Sequence, residues 1–327
     1  MEKGIQHIQI SSFLTRSGLH CDTINLGYQL FGCSLGTAPI VVVNHALTGN
    51  SQVTGESGWW NEAIGEGKVI DTCRYTIIAF NVPGNGYGYN DQPIDNYQDF
   101  TAYDIAKLFL YGLEFLGVDS IYGLIGGSVG GGIAWEMAAQ RPLLAAHLIP
   151  VASDWKSTDW LIANCLIQEQ ILNNSSRPVH DARLHAMLCY RTPQSFKEKF
   201  GRSWNETESL YNIETWLLHH GKKLQQRFQL SAYKLMNKLL QSINIEAGGL
   251  SFSEIVTPIK AHVHIVAIDS DLFFTPDENR ETYRLIKQLG KEVSYHEINS
   301  IHGHDAFLIE FDQLETILKP IFGTNEP

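Results

Sequence analysis

Short, solidly apolar runs alternate with segments of helical periodicity along most of the chain. Runs of this length are typical of strands that are buried on both faces of a sheet. The runs that predict such strands are 39–44, 75–80, 120–125, 146–151, 261–268 and 292–298. Apolar side chains recur at helical spacing over 104–116 and 276–289, and rough alternation over 23–30 predicts antiparallel β-structure. Strands that alternate with helices predict βα units and a largely parallel sheet, which is an α/β fold.

The alternation of strands and helices stops between about residues 154 and 252. Within this stretch the apolar spacing is helical throughout, as in the face formed by Leu210, Leu217 and Leu224. The sequence therefore predicts a core made of residues 1–153 and 253–327. Residues 154–252 are predicted to form an inserted helical cap over the carboxyl edge of the sheet.

Composition and charge narrow the class of protein further. The 327 residues are 44% hydrophobic and 18% charged, which suits a large folded core. The formal net charge is −11 and no basic run occurs, so neither nucleic acid nor an anionic membrane is an expected partner. No apolar run reaches the length of a membrane span, and the N-terminal residues lack the apolar region of a signal peptide. These features predict a cytoplasmic protein.

The strongest local motif is Gly-Gly-Ser-Val-Gly-Gly at 126–131, which follows an apolar run and precedes a helical segment at 133–140. In this context G-x-S-x-G forms a sharp turn between strand and helix that exposes the serine hydroxyl at the edge of the sheet. The motif lacks the G-K-[ST] of a phosphate-binding P-loop, and the GxGxxG pattern of a dinucleotide site is not met. Ser128 is therefore the candidate nucleophile.

A serine nucleophile needs a base, and the base needs an acid that orients it. In an α/β-hydrolase arrangement the acid and then the histidine follow the serine, on loops after later strands. The first such loop offers Asp269 and Asp271, of which we favour Asp271 because Asp269 lies nearer the strand end and can brace the loop. The second loop offers His302 and His304, which local sequence does not separate.

The remaining histidines are interpreted as structural. His262 and His264 share one face of a predicted buried strand, and His219 and His220 lie on a cap helix. An H-x-H pair can bind a metal ion, but the sequence places no third ligand beside it, so we expect no metal site. The five cysteines are scattered without a CxxC pair, which argues against a disulfide framework or a zinc site.

The oxyanion that forms when a serine attacks a carbonyl also needs two backbone N–H donors. The residue after the nucleophile, Val129, supplies the first. The second is expected from the loop at 44–49, where the chain turns toward a glycine, and Leu47 is the favoured donor. His45 precedes the serine in the same loop and is interpreted as structural.

Several segments together resemble the homoserine O-acetyltransferase family, the acyl-transferring branch of the α/β-hydrolase fold. The similarity extends over nearly the whole chain, including the cap. The matching segments are HALTG at 45–49, GWW at 58–60, IDTCRY at 70–75, the turn GGSVGG at 126–131, MLCYRT at 187–192, IDSD at 268–271 and GHDAFL at 303–308.

The resemblance implies an enzyme of methionine biosynthesis that moves an acetyl group from acetyl-CoA to the homoserine hydroxyl through an acyl-serine. Carried onto matching positions, it selects Ser128, Asp271 and His304 as the catalytic triad, and Leu47 with Val129 as the oxyanion hole. Acetyl-CoA enters as a co-substrate, and no bound cofactor is expected. In the resembled family the helical cap also forms a dimer surface, which implies a homodimer through the cap.

The resemblance also implies where the substrate binds, and it includes one departure. Asp305 is implied to hold the amino group of the substrate, with Tyr190 and Arg191 among the substrate-binding residues. The family has an arginine on the first cap helix that lines the acceptor tunnel, but Gln168 stands at this position. Losing an arginine that grips a carboxylate removes roughly 1.5–3 kcal/mol of binding.

The altered acceptor site leaves alternatives open. Arg177, Arg183 or Arg191 are candidates to replace the missing guanidinium. If water is the acceptor, the same triad would serve an esterase or thioesterase. A non-catalytic binding protein on the same scaffold is disfavoured, because all three triad residues are present in the required order. Whether the enzyme is a transferase or a hydrolase, its expected partners are a small-molecule acyl donor and a small acceptor.

Overall fold

The computed structural model describes residues 4–88 and 92–323, and a large mixed sheet lies at its centre. The strands are β1 (Gln6–Leu14), β2 (His20–Gly32), β3 (Ile40–Asn44), β4 (Ile64–Gly65), β5 (Ile70–Asp71), β6 (Thr76–Phe80), β7 (Ile121–Gly127), β8 (Ala145–Val151), β9 (Trp204–Asn205), β10 (Leu210–Tyr211), β11 (His262–Ile268) and β12 (Val293–Ile298). The large sheet has the order β1-β2-β6-β3-β7-β8-β11-β12. Strands β6, β3, β7, β8, β11 and β12 are parallel to one another, and β2 is antiparallel to both of its neighbours, β1 and β6.

Helices cover both faces of this sheet. The α-helices of the described residues are α1 (Ala102–Phe115), α2 (Val129–Gln140), α3 (Asp159–Asn174), α4 (Pro178–Tyr190), α5 (Pro193–Phe200), α6 (Asn212–Arg227), α7 (Leu230–Gln241), α8 (Phe252–Val256), α9 (Pro276–Gln288) and α10 (Phe311–Phe322). On one face, strand residues such as Val42 and Leu124 pack in a core with α1 and α2. On the other face, Val41 and Ile125 share a core with side chains of α10. This layering is typical of a parallel sheet that is buried on both sides.

The predicted α/β fold is confirmed, and the six predicted buried strands agree with the observed ones to within two residues. The β-structure predicted at 23–30 is longer, because β2 runs from His20 to Gly32. The helix predicted at 133–140 is wrong at its start, because α2 begins at Val129. Glycines usually disfavour a helix, but at Gly130 an added Cβ would lie 2.4 Å from the carbonyl oxygen of Asn44. Packing of the helix against the loop after β3 therefore outweighs the low helical propensity of glycine.

The segment predicted as the cap contributes no strand to the large sheet within the described residues. It contains α3 to α7, and α3 packs against α4 and α7. The prediction that it is helical throughout was wrong, because β9 and β10 form a short hairpin. Asn205 favours that turn by accepting hydrogen bonds from the N–H groups of Thr207 and Glu208 at 3.0 and 3.1 Å.

The two ends of this helical segment are joined beside the sheet. Lys156 and Asn244 form an antiparallel bridge, and the N–H of Ser157 donates to the carbonyl of Ile243 at 2.8 Å. These contacts bring residues near the two ends of the segment side by side. Among the described helices, none is long and apolar enough to cross a membrane.

Candidate active site

Ser128 lies at a strained turn between β7 and α2. Its backbone has φ 56° and ψ −128°, a conformation that costs energy for a residue with a Cβ. The turn is tight, because a Cβ on Gly126 would lie 2.3 Å from the carbonyl oxygen of Gly130. The glycines on both sides of the serine are therefore a steric requirement of the turn, as the motif predicts.

The hydroxyl of Ser128 meets a histidine and an aspartate from two later loops. Nε2 of His304 lies 2.9 Å from Ser128 Oγ, and Nδ1 of His304 lies 2.7 Å from Oδ2 of Asp271. The other carboxylate oxygen, Oδ1, accepts hydrogen bonds from the N–H groups of Phe273 and Phe274 at 2.7 and 3.1 Å. This arrangement aims a basic nitrogen at the serine hydroxyl and fixes the aspartate behind it.

The structure also places the two competing residues. Asp269 accepts a hydrogen bond from the N–H of Ser300 at 2.9 Å, so it ties together the loops after β11 and β12. The ring of His302 points elsewhere, with Nδ1 3.0 Å from Ser195 Oγ. Neither side chain has a hydrogen bond to Ser128 among those of the described residues. Of each pair, therefore, only Asp271 and His304 join the serine.

Aromatic side chains surround the imidazole and leave His304 only 3% exposed. The rings of Tyr190, Phe273, Phe274 and Phe307 have centroids 5.1–5.8 Å from that of His304. Burial by itself lowers the pKa of His304, but the negative charge and hydrogen bond of Asp271 outweigh it. The pKa therefore rises above its usual value, with a smaller contribution from Asp305. A more basic imidazole is a stronger acceptor for the serine proton.

The loop after β3 packs directly against the start of α2. The side-chain amide of Asn44 donates to the carbonyl of Gly130 at 3.3 Å, and Leu47 lines the same cavity as Ser128. Val129 is the first residue of α2, so its N–H has no acceptor within the helix. The predicted pair of oxyanion donors, Leu47 and Val129, thus flanks the serine from two elements.

His45 stabilises this loop from inside. Its Nδ1 lies 2.8 Å from the carbonyl oxygen of Ala46 and its Nε2 accepts the N–H of Val82 at 3.1 Å. Complete burial lowers the pKa of His45 to about 4, so the ring is neutral at neutral pH. Both ring nitrogens form hydrogen bonds with backbone groups, in agreement with the structural interpretation of this residue.

A small cavity of about 70 Å³ opens onto the serine. Ser128, Leu47, Tyr190, His304 and Asp305 are among its lining residues. A cavity of this size suits a small acyl group or an amino acid and not a long chain.

Two predicted substrate residues lie outside this lining in the described part of the chain. Arg191 stands behind Asp305, with its Nε donating to Oδ2 at 3.0 Å, so it orients that carboxylate. Gln168 lines a separate cavity of about 10 Å³ that shares only Leu47 and Tyr190 with the cavity of Ser128.

The hydrogen bonds of Gln168 explain this position. Its amide nitrogen lies 3.2 Å from the carbonyl oxygen of Ala182 and 3.0 Å from Nδ1 of His185. Burial lowers the pKa of His185, so that ring is neutral at neutral pH and accepts the amide hydrogen. Gln168 therefore joins α3 to α4, and no charge stands at this position.

One residue that lines the cavity of Ser128 is among the three arginines that the sequence offers as replacements for the missing guanidinium. Arg183 on α4 borders the cavity of Ser128, and its guanidinium lies 5.5 Å from the ring centroid of Tyr190. Its spacing of seven residues from Tyr190, which is two helical turns, is the sequence signal that could have singled it out. Arg177, by contrast, is exposed at the beginning of α4.

Comparison with known proteins agrees with this geometry. Residues 39–308 match the alpha/beta hydrolase fold family. The homoserine O-acetyltransferase of Symbiobacterium thermophilum is 32% identical over 91% of this chain and 88% of its own length. The solved homoserine O-acetyltransferase from Staphylococcus aureus is 26% identical with a TM-score of 0.81, covering 99% of this chain and 96% of that one. Esterase E22, 17% identical with a TM-score of 0.86 over 98% of this chain and 100% of that one, shares the fold. The chain belongs to the homoserine O-acetyltransferase family of the alpha/beta hydrolase fold.

Proposed function

We propose that this enzyme transfers an acetyl group from acetyl-CoA to the hydroxyl of homoserine through an acyl-enzyme on Ser128. The observation that supports this most directly is the hydrogen-bonded series from Ser128 through His304 to Asp271, placed under a small cavity that Asp305 and Arg183 line. A nucleophile supplies the covalent step, and the charged residues supply recognition of an amino acid.

In the first half-reaction, Ser128 Oγ attacks the thioester carbonyl while Nε2 of His304 takes the hydroxyl proton. The N–H groups of Leu47 and Val129 stabilise the tetrahedral oxyanion. The C–S bond then breaks, the imidazolium returns its proton to the leaving thiolate, and free CoA departs. Asp271 keeps the Nδ1 proton of His304 in place and stabilises the imidazolium throughout.

In the second half-reaction, the acceptor hydroxyl gives its proton to Nε2 of His304 and attacks the acyl-serine. The C–O bond to Ser128 breaks and the serine oxygen recovers the proton from the imidazolium. Transfer exceeds hydrolysis only where water is excluded. The buried position of Ser128, which is 5% exposed, and the rings around His304 support that condition.

The acceptor is assigned by charge. Asp305 lines the cavity as a carboxylate that Arg191 orients, so it suits the acceptor ammonium. Gln168 offers no cation, whereas Arg183 on the neighbouring helix borders the cavity of Ser128. We assign Arg183 to the acceptor carboxylate. A carboxylate and a guanidinium at the same cavity fit a zwitterionic hydroxy amino acid better than a simple alcohol or water.

The test follows the release of CoA thiol from acetyl-CoA with and without L-homoserine, together with detection of O-acetylhomoserine. Wild-type enzyme is expected to release thiol in a homoserine-dependent manner, and Ser128→Ala is expected to release none. Ser153→Ala is the matched control, because Ser153 is also a buried serine on the loop after a neighbouring strand. Equal release without homoserine would instead identify a thioesterase, and full activity of Ser128→Ala would refute the acyl-serine.

A further inference from the structure

Three histidine side chains meet on the sheet at the end of the strands opposite the serine. His147 on β8 pairs in register with His262 on β11, and His264 lies two residues further along β11. One ring nitrogen of each lies within 4.8 Å of the others. The sequence places no third ligand beside the H-x-H pair, and the register between β8 and β11 supplies one.

Hydrogen bonds arrange the ring nitrogens in the way that metal-binding histidines require. Nδ1 of His264 lies 2.7 Å from Ser294 Oγ, and its Nε2 lies 2.9 Å from Nδ1 of His147. When His264 donates its Nδ1 proton to Ser294, its Nε2 presents a lone pair toward His147. When a histidine binds a metal through one ring nitrogen, a hydrogen-bond partner on the other ring nitrogen fixes its tautomer. The proton shared by the two histidines then occupies the place that a metal ion would take.

Charge and access also favour a cation. Glu292 adds negative charge, with its Oε2 4.0 Å from Nδ1 of His262. The side chain of His262 is 34% exposed, so the cluster can be reached from solvent.

We propose that His147, His262 and His264 bind one zinc ion, with water or the Glu292 carboxylate in the fourth position. Three neutral imidazole ligands are typical of zinc, whereas calcium and magnesium prefer oxygen ligands. Tetrahedral bonds of about 2.0–2.1 Å place two ligand nitrogens ~3.3 Å apart. The 2.9 Å pair and the 4.8 Å limit lie on either side of this value, so small side-chain rotations complete the site.

Such an ion would join β8 to β11 and, through Ser294, to β12. The cluster lies near the amino ends of these strands, whereas Ser128 follows the carboxyl end of β7. It would therefore stabilise the sheet without taking part in acyl transfer, and it does not rest on the proposed function. Binding to the folded chain is expected to raise the unfolding temperature as zinc is added.

The experiment uses the full chain without a histidine tag, stripped with a chelator and titrated with zinc against a chromogenic competitor. Wild-type protein is expected to bind one zinc ion per chain, and cobalt in its place is expected to give the visible bands of a tetrahedral site. His147→Asn keeps a side-chain amide near Nδ1 but removes the ligand, so zinc affinity should fall at least roughly tenfold. His219→Asn, on the exposed face of α6, is the control and should bind as wild type does.

Because a histidine variant can lose stability, Ser294→Ala provides a second measurement. It retains all three imidazoles and removes only the hydroxyl that contacts His264 at 2.7 Å and His262 at 3.3 Å, so affinity should fall about 10–100-fold. Circular dichroism confirms that each variant is folded. Less than one zinc ion per wild-type chain, or unchanged zinc affinity in both His147→Asn and Ser294→Ala, would overturn the proposal.

Discussion

Nδ1 of His304 lies 2.7 Å from Oδ2 of Asp271, although the two residues are separated by 33 positions in the chain. They meet because β11 and β12 are adjacent parallel strands, so the loops that follow them leave the sheet side by side. The hydrogen bond keeps the proton on Nδ1 and leaves the lone pair of Nε2 facing Ser128. This contact determines both the tautomer and the basicity of the imidazole.

The first prediction concerns this contact. In Asp271→Asn the charge that raises the pKa of His304 is lost while burial, which lowers it, remains. The enzyme needs a neutral imidazole, so activity falls as pH drops through this pKa. We therefore expect the acidic limb of the kcat/KM profile to move to lower pH. At its plateau kcat should fall about 10³–10⁴-fold, because the asparagine stabilises the wrong tautomer.

Asp269→Asn is the matched control for this profile. Asp269 lies two residues away and accepts a hydrogen bond from the backbone of Ser300. Its replacement should leave the acidic limb where it is in the wild type. If both variants shift the limb equally, or if neither does, Asp271 is not the group that tunes His304.

Much of this site follows from the sequence alone, for identifiable reasons. The G-x-S-x-G turn and the rule that ligands meet at the carboxyl edge of parallel strands bring Ser128 together with the loops of Asp271 and His304. The choice between His302 and His304 is different. It depends on the direction of each side chain within the turn, and neighbours two residues apart share almost all local signals. The family resemblance selected His304, and the hydrogen bonds place it beside the serine.

The second prediction tests the acceptor site. Arg183→Gln removes a guanidinium from the cavity and leaves Ser128 and His304 unchanged. A charge-assisted hydrogen bond contributes about 1.5–3 kcal/mol, so KM for homoserine should rise roughly 10–100-fold. Formation of the acyl-enzyme from acetyl-CoA should be little affected, because the acceptor takes no part in it. Steady-state and single-turnover kinetics separate the two effects.

The control for Arg183 is Arg177→Gln. Arg177 is exposed at the beginning of the same helix, so its loss removes the same charge at a distance from the cavity. We expect KM within about twofold of wild type, since distant exposed charges interact weakly in physiological salt. A rise in KM of similar size in both variants would mean that net charge, and not a contact with Arg183, determines acceptor binding.

The third prediction concerns the tight turn around the serine. In Gly130→Ala the new Cβ would lie 2.4 Å from the carbonyl oxygen of Asn44 and 2.7 Å from that of His45. The clash is with backbone, so the loop that carries Leu47 has to move away from Val129. Acyl transfer should fall by at least about 10²-fold, the usual effect of losing one oxyanion donor. Stopped-flow measurement of acyl-enzyme formation would detect it.

Gly4→Ala is a suitable control for that change, because no atom lies within 4 Å of its added Cβ. It should leave the rate of acyl-enzyme formation unchanged. If Gly130→Ala forms the acyl-enzyme at the wild-type rate, close packing of the loop against α2 is not required for oxyanion stabilisation.

Two features of the molecule could not be read from the chain, because they depend on how elements pack. Helical spacing puts Arg183 on the same side of α4 as Tyr190, but only the packing of α4 against the segment that carries His304 brings that side to the cavity. Similarly, His147 and His262 lie 115 positions apart, and only the register between β8 and β11 brings them together. A shift of register by one residue would turn either ring to the opposite face.

The last prediction concerns stability. Glu136 on α2 is 2% exposed, and burial raises the pKa of its carboxyl group to about 7, against a weak hydrogen bond from the N–H of Asn244. Between the unfolded pKa near 4.5 and about pH 7, the folded chain holds a proton that the unfolded chain has lost. The free energy of unfolding therefore decreases as pH rises through this window.

Glu136→Gln should remove this contribution, because a glutamine is neutral at every pH. Near pH 8 the variant should be more stable than wild type by roughly 3 kcal/mol, and the difference should vanish below about pH 4.5. Urea unfolding at pH 5, 6, 7 and 8 measures it, with Glu114→Gln on the exposed face of α1 as control. If wild type and Glu136→Gln lose stability in parallel from pH 5 to 8, the carboxylate of Glu136 is already ionised in the folded chain, and ion pairing or hydration offsets its burial.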